Sequence, residues 1–88
     1  MNVQQAADWM QLELEGQGCL YQDDAVDFLV KSNAEGLLRE NADGNLVLSR
    51  QILSAFKKLN ADTVVWVKPD KYWRFRTAED EDGRDARG

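Results

Sequence analysis

The sequence predicts a single α+β domain that consists of three main helices and a C-terminal two-stranded β-hairpin. Apolar residues recur at helical spacing in three separate segments, and valine and aromatic residues flank a Pro-Asp pair at positions 69–70. A chain of 88 residues with 43% hydrophobic residues has room for one core and not for two. We therefore expect one domain over residues 1–76, followed by a disordered acidic tail over residues 77–88, where no apolar pattern continues.

The first helix is predicted from Val3 to Leu14, because apolar side chains recur three and four positions apart. Gly16 and Gly18 should end it, since two glycines within three residues favour a break. The next segment, Cys19–Tyr21, is a short extended piece and the candidate for a third strand. The stripe of the helix that faces the core comprises Val3, Ala6, Ala7, Met10 and Leu14.

The second helix should begin at Asp23 and Asp24 and end near Ser32, with a broad apolar surface between these points. Residues 35–40 predict one further helical turn. Residues 41–45 read NADGN and predict a reverse turn, because Asn and Asp-Gly tolerate positive φ angles. Residues 46–48 then form a short extended segment of three apolar side chains.

The third helix is predicted from Arg50 to about Leu59, with Ser49 as its N-cap and Asn60 ending it in a left-handed conformation. The side chains expected to face the core are Ile52, Leu53, Phe56 and Leu59.

The terminal hairpin is predicted to pair Val67 with Tyr72, which sets Trp66 opposite Trp73. A loop longer by one residue would set Trp66 opposite Arg74, and we prefer the first register because it buries three large rings together. One face, called the inner face, then carries Val64, Trp66, Trp73 and Phe75 towards the core. The other, called the outer face, carries Val65, Val67, Tyr72, Arg74 and Arg76.

This order of elements resembles the winged helix, in which a third helix enters a nucleic-acid groove and a hairpin forms the wing. The resemblance covers residues 2–76, although the segment from Asn33 to Leu48 is longer than the usual turn of that fold. The runs DGNLVLSRQILSAFKKL, VVW and WRFR are also similar to a small bacterial domain family of uncharacterised function. That second resemblance implies a compact domain and no particular activity.

The composition argues against catalysis and bound cofactors. The chain contains no histidine, which excludes histidine-dependent triads and acid–base chemistry, and Cys19 therefore has no histidine partner. Gly16 and Gly18 are not followed by the residues of a phosphate-binding loop. We therefore predict no catalytic residues and no cofactor.

A metal site is also not predicted. Acidic residues at the start of the second helix cap backbone amides and complement the helix dipole, which explains them without a cation. The Asn41–Asn45 turn is similar to the first half of a calcium loop, but Leu46 stands where the loop glycine belongs.

The sequence favours a cytoplasmic protein that has no membrane partner. The first residues lack a basic region followed by an apolar run, and no apolar run approaches the length of a membrane span. The single cysteine cannot form a disulfide within the chain, which suits a reducing compartment.

The charges are unevenly distributed along the chain, whose net charge is −5. Residues 1–48 carry nine acidic and two basic residues, whereas residues 49–76 carry two acidic and seven basic ones. The two parts could neutralise each other, or the basic part could meet an anionic partner. The candidate partner contacts are Arg50, Lys57, Lys58, Lys68, Lys71, Tyr72, Arg74 and Arg76.

Two binding functions are compatible with these residues. The leading prediction is a non-catalytic interaction module that binds another protein or itself, with Val65, Val67 and Tyr72 as an exposed apolar strip. The alternative is DNA binding through the basic face of the helix at residues 50–58 and the hairpin at residues 68–76. The isoelectric point of about 4.6 argues against DNA, and the acidic tail could fold back on the basic patch.

Overall fold

A computed structural model describes residues 1–86 of the chain, and it confirms the α+β class. Three helices stand beside a four-stranded sheet, and a small separate hairpin lies between the second and third helices. None of the helices within residues 1–86 is long and apolar enough to span a membrane. The helices are α1 (Val3–Gln17), α2 (Gln22–Lys31) and α3 (Arg50–Asn60), with one 3-10 turn at Glu35–Leu37. The strands are β1 (Cys19–Tyr21), β2 (Leu38–Glu40), β3 (Leu46–Leu48), β4 (Val64–Val67), β5 (Tyr72–Phe75) and β6 (Asp85–Ala86).

Helix α1 is longer than predicted, because only the second of its two glycines ends it. Gly18 has a φ angle of +81°, and its amide donates to the carbonyl of Leu14, whereas Gly16 continues the helix. At the other end Asn2 and Gln5 form a capping box, in which each side chain accepts a hydrogen bond from the other residue's amide.

The main sheet has the strand order β1-β5-β4-β6. Strands β4 and β5 are antiparallel in the predicted register, with Trp66 opposite Trp73 and Val67 opposite Tyr72. The candidate third strand is confirmed, because β1 pairs with β5 and sets Leu20 opposite Trp73. Strand β6 was not predicted, and it runs parallel to β4 along the edge that the hairpin would otherwise leave open.

The segment between α2 and α3 differs from the prediction of an extra helical turn at residues 35–40. Only residues 35–37 form a turn of 3-10 helix, and Leu38 then pairs with Leu48 in the hairpin β2-β3. The side chain of Asn41 accepts hydrogen bonds from the amides of Asp43 and Asn45, which closes the loop. Strand pairing therefore prevails over the local helical tendency of residues 38–40. Helix α2 packs on β3 of this hairpin.

The core lies between α1, α3 and the inner face of the sheet. Ser49 caps α3 as predicted, by accepting a hydrogen bond from the amide of Ile52. The predicted left-handed end at Asn60 is wrong, because Asn60 is the last residue of the helix and has no positive φ angle. Phe56 is fully buried and meets Trp73 edge to face, with 5.0 Å between the ring centroids. Trp66 lies 4.6 Å from the same ring and is half-buried.

The burial of four apolar positions differs from the prediction, and two of them lie at the ends of elements. Phe75 and Leu59 are exposed by 38% and 42%, because β5 ends at Phe75 and α3 ends one residue after Leu59. Val65 and Val67 are fully buried, so the exposed apolar strip predicted for the outer face does not exist.

The segment after β5, for which the sequence predicts disorder, lies against the outer face of the hairpin. Residues 77–86, called the tail here, bend back over the outer face, and their last two residues form β6. The segment therefore packs as part of the domain. Residues 87 and 88, for which disorder was also predicted, lie outside the described residues.

Candidate functional site

The structure separates the predicted contact residues into two groups. Five cations are exposed, and they lie on α3 and in the hairpin turn: Arg50, Lys57, Lys58, Lys68 and Lys71. Tyr72 is half-buried beside Tyr21, with 5.0 Å between the ring centroids. Arg74 and Arg76 are also half-buried, because the tail binds both of them. The predicted patch is therefore divided, and its sheet half is already occupied within the chain.

Arg74 forms a two-pronged ion pair with Asp80 of the tail. Its two terminal nitrogens lie 2.9 Å and 2.8 Å from the two carboxylate oxygens. The carboxylate of Asp80 also accepts from the backbone amide of Thr77 at 2.7 Å. The hydrogen bond from Arg74, and then that from Thr77, hold the pKa of Asp80 well below its usual range. The same hydrogen bond raises the pKa of Arg74.

Arg76 binds the backbone of the tail rather than its carboxylates. Its guanidinium donates to the carbonyl of Glu81 at 2.9 Å and also to the carbonyl of Gly83. Arg74 and Arg76 share the outer face with Val65 and Val67, and so the tail runs across that face. The acidic tail thus folds back on the basic residues of the hairpin, as the sequence suggests. It contacts them through the carboxylate of Asp80 and the carbonyls of Glu81 and Gly83.

A further contact of the tail is made by Arg84, which the sequence did not single out. Its guanidinium donates to the side-chain oxygen of Asn60 at 2.8 Å, and to the carbonyls of Asn60 and Val64, each at 3.3 Å. The carbon at its centre lies 5.9 Å from the ring centroid of Phe56. We call Phe56, Asn60 and Val64 the arginine site.

Asn60 gives the arginine site a buried polar side chain, and so the site is more than a surface contact. Its exposure is 3%, and it is the single polar residue of the buried set within residues 1–86. The side-chain nitrogen of Asn60 donates to Gln11 at 2.7 Å, which orients the amide so that its oxygen faces Arg84. Burial, and then repulsion by Arg76, lower the pKa of Arg84 from its ordinary value. Sequence reasoning identified Asn60 only as a helix end, and no local pattern in the tail indicates that Arg84 binds it.

Strand β4 supplies the second half of the site through its backbone. The amide of Trp66 donates to the carbonyl of Arg84 at 2.6 Å, and Trp66 and Val67 lie opposite Asp85 and Ala86. A cavity of about 410 Å³ adjoins this contact, with Leu53, Trp66 and Trp73 among its apolar lining residues. The site therefore combines a strand edge, a buried acceptor group for a guanidinium, and an apolar hollow.

A second groove lies on the other side of the molecule, between α1, α2 and β1. Trp9 and Phe28 stack there, with 3.7 Å between their ring centroids and an interplanar angle of 5°. The cavity measures about 540 Å³, and Asp27 at its rim forms an ion pair with Lys31 at 2.8 Å. Cys19 lies beside it with a free thiol.

Comparison with known proteins yields one match. The model of a family of unknown function matches residues 2–75, which is most of the chain. No curated protein and no solved structure matches the chain. The matched range ends at Phe75, and so the tail and Arg84 lie beyond it.

Proposed function

The chain belongs to DUF6953, a family of unknown function, and we propose that it is a small non-catalytic interaction module that binds an extended protein segment along β4. One observation carries the proposal: β4 already accepts a parallel strand from beyond the matched residues, anchored by an arginine that binds the buried Asn60. An edge strand with free amides and carbonyls is the usual acceptor in recognition by strand addition.

The small size of the contact between β6 and β4 supports the replacement of β6 by a partner segment. Strand β4 has four residues, and β6 pairs with only Trp66 and Val67. A partner segment that continued along the whole edge would form more backbone hydrogen bonds than the tail does, and would therefore bind through a larger contact.

The proposal that the module is non-catalytic rests on the chemistry of its residues. The chain has no histidine, and its one cysteine lies beside the groove between α1 and α2, away from the β4 edge. The β4 site offers backbone groups, an amide and aromatic rings, which bind and orient a ligand but do not transfer protons.

A second candidate function is DNA binding, and one observation favours it. The five exposed cations on α3 and in the hairpin turn form no ion pair within residues 1–86. The net charge of −5 and the binding of Arg74 and Arg76 by the tail weaken this candidate.

Site-specific photo-crosslinking tests the proposed function. A photoreactive residue at position 68, directly after β4, should capture a partner protein in cells, whereas the same residue at position 39 on β2 should not. A synthetic segment of the captured protein should then bind the purified chain. Equal capture at both positions, or a captured protein none of whose segments binds, would contradict strand addition at β4.

Fluorescence anisotropy with random duplex DNA separates the two candidates. We expect no submicromolar binding at low salt. Submicromolar binding that weakens steeply with added salt, and that is lost in Lys57→Ala/Lys58→Ala, would establish the second candidate instead.

A further inference from the structure

We infer that the arginine site selects partner segments that carry an arginine at the position of Arg84, and that the tail is an intramolecular substitute for such a segment. The inference rests on the proposed strand addition at β4 and names the residue that the partner must supply. Phe56, Asn60 and Val64 provide the recognition, and Trp66 sets the position of the arginine relative to the strand.

The acceptors of the arginine site match the shape of a guanidinium. Three oxygens from two residues accept from its two terminal nitrogens, and its central carbon lies over the ring of Phe56, 5.9 Å from the ring centroid. A guanidinium is planar, presents donors in a fixed fork and packs on aromatic rings, whereas a lysine ammonium is a compact point charge. Lysine at this position would leave part of the acceptor set without a donor.

The site recognises the cation without a carboxylate. All the oxygens that Arg84 contacts are amide oxygens, one from a side chain and two from the backbone. Neutral acceptors require correct geometry and provide little long-range attraction, and so they favour a directional donor over any nearby positive charge. This distinguishes the arginine site from a general acidic patch.

The backbone contact fixes where the arginine must stand in the partner. The amide of Trp66 binds the carbonyl of Arg84 itself, and the next two residues pair with β4. A partner therefore places its arginine immediately before two residues of extended chain. The side chain enters the gap between α3 and β4, where Asn60 is 3% exposed.

The tail is suited to act as a replaceable occupant. It follows β5 through a short connection, which holds Arg84 near its site at an effective concentration in about the millimolar range. An external segment must displace it, and so the tail should weaken the apparent affinity for partners. Removing the Arg84 side chain should therefore strengthen binding of an arginine-bearing segment added in trans.

The test uses the full chain with Arg84→Ala and a capped synthetic peptide of residues 79–86, EDEDGRDA. Binding is followed through the backbone amide resonance of Trp66. We expect the peptide to bind Arg84→Ala at least tenfold more tightly than it binds the wild-type chain. A peptide with Arg84→Lys should bind Arg84→Ala at least tenfold more weakly than the unmodified peptide. Arg50→Ala, which removes an exposed cation at the far end of α3, should behave like the wild-type chain.

The outcomes distinguish this inference from the proposed function. Equal affinity of both peptides for Arg84→Ala would overturn arginine selection and leave strand addition intact. No binding of either peptide to a variant that circular dichroism shows to be folded would overturn both. If Arg84→Ala does not fold, Arg84→Gln replaces it, because its amide can still donate to Asn60.

Discussion

The two faces of the β4-β5 hairpin are covered by different kinds of contact. Helix α3 covers the inner face with Phe56 against Trp73, an apolar contact whose strength does not depend on charge. The tail covers the outer face through Arg74 and Arg76, with an ion pair and backbone carbonyls over two buried valines. The inner cover is therefore part of the permanent core, whereas the outer cover should respond to pH and to competing ligands.

The largest effect should come from the inner face. Trp73→Ala removes a ring that is 3% exposed and touches both Phe56 and Trp66, and we expect it to destabilise the domain by about 3–5 kcal/mol. Thermal melting measures this change, with Leu12→Ala at a 68% exposed position as the control. A small shift for Trp73→Ala would mean that the inner face does not carry the stability.

Removal of the tail should have the next largest effect. Deletion of residues 77–88 exposes Val65 and Val67 and leaves Asn60 without the donor that Arg84 provides, which together should cost about 2–3 kcal/mol. We expect the melting temperature to fall by several degrees while the circular dichroism spectrum stays helical. An unchanged melting temperature would show that the outer cover adds nothing to stability.

Arg84→Ala isolates one contact of the outer cover. The buried oxygen of Asn60 loses its charged donor, and we expect a loss of about 1–2 kcal/mol in the free energy of unfolding. Chemical denaturation measures it, and Asp82→Ala, an exposed position in the same tail, is the matched control. A loss as large for Asp82→Ala would place the effect in the tail as a whole rather than in the arginine site.

The smallest effect should be the pH dependence of Asp80. Its pKa is lowered in the folded state, so it stabilises the fold above the unfolded value of about 3.9, and this contribution is lost as the pH falls below that value. Asp80→Asn should therefore melt at a lower temperature than the wild-type chain at pH 7, and the difference should shrink towards pH 2. Glu79→Gln, at an exposed position, should show no such difference at either pH.

The elements that the sequence predicted correctly are those whose signals are local. Ser49 marks the start of α3, and the pairing of Trp66 with Trp73 follows from a short turn between two aromatic segments. The prediction of helix at residues 38–40 was wrong. These residues form a strand because they pair with Leu46–Leu48, and a three-residue strand has almost no sequence pattern of its own.

The candidate site was predicted only in part, because its contacts join distant and polar residues. Arg84 and Asn60 are 24 positions apart, and nothing in an acidic segment indicates that its arginine contacts the core. Val65 and Val67 were assigned to an exposed strip because their cover comes from the tail, for which disorder was predicted. The basic residues of α3 were found because a helix shows its polar side in the sequence.

The position of β6 has a further consequence for solubility. Residues 64–67 read VVWV, a short uncharged stretch of β-branched and aromatic residues of the kind that initiates aggregation when its edge is open. Strand β6 occupies part of that edge, at Trp66 and Val67, and so limits its pairing with other copies. Any ligand that displaces the tail must therefore shield the same edge, or the uncovered chains will begin to associate with one another.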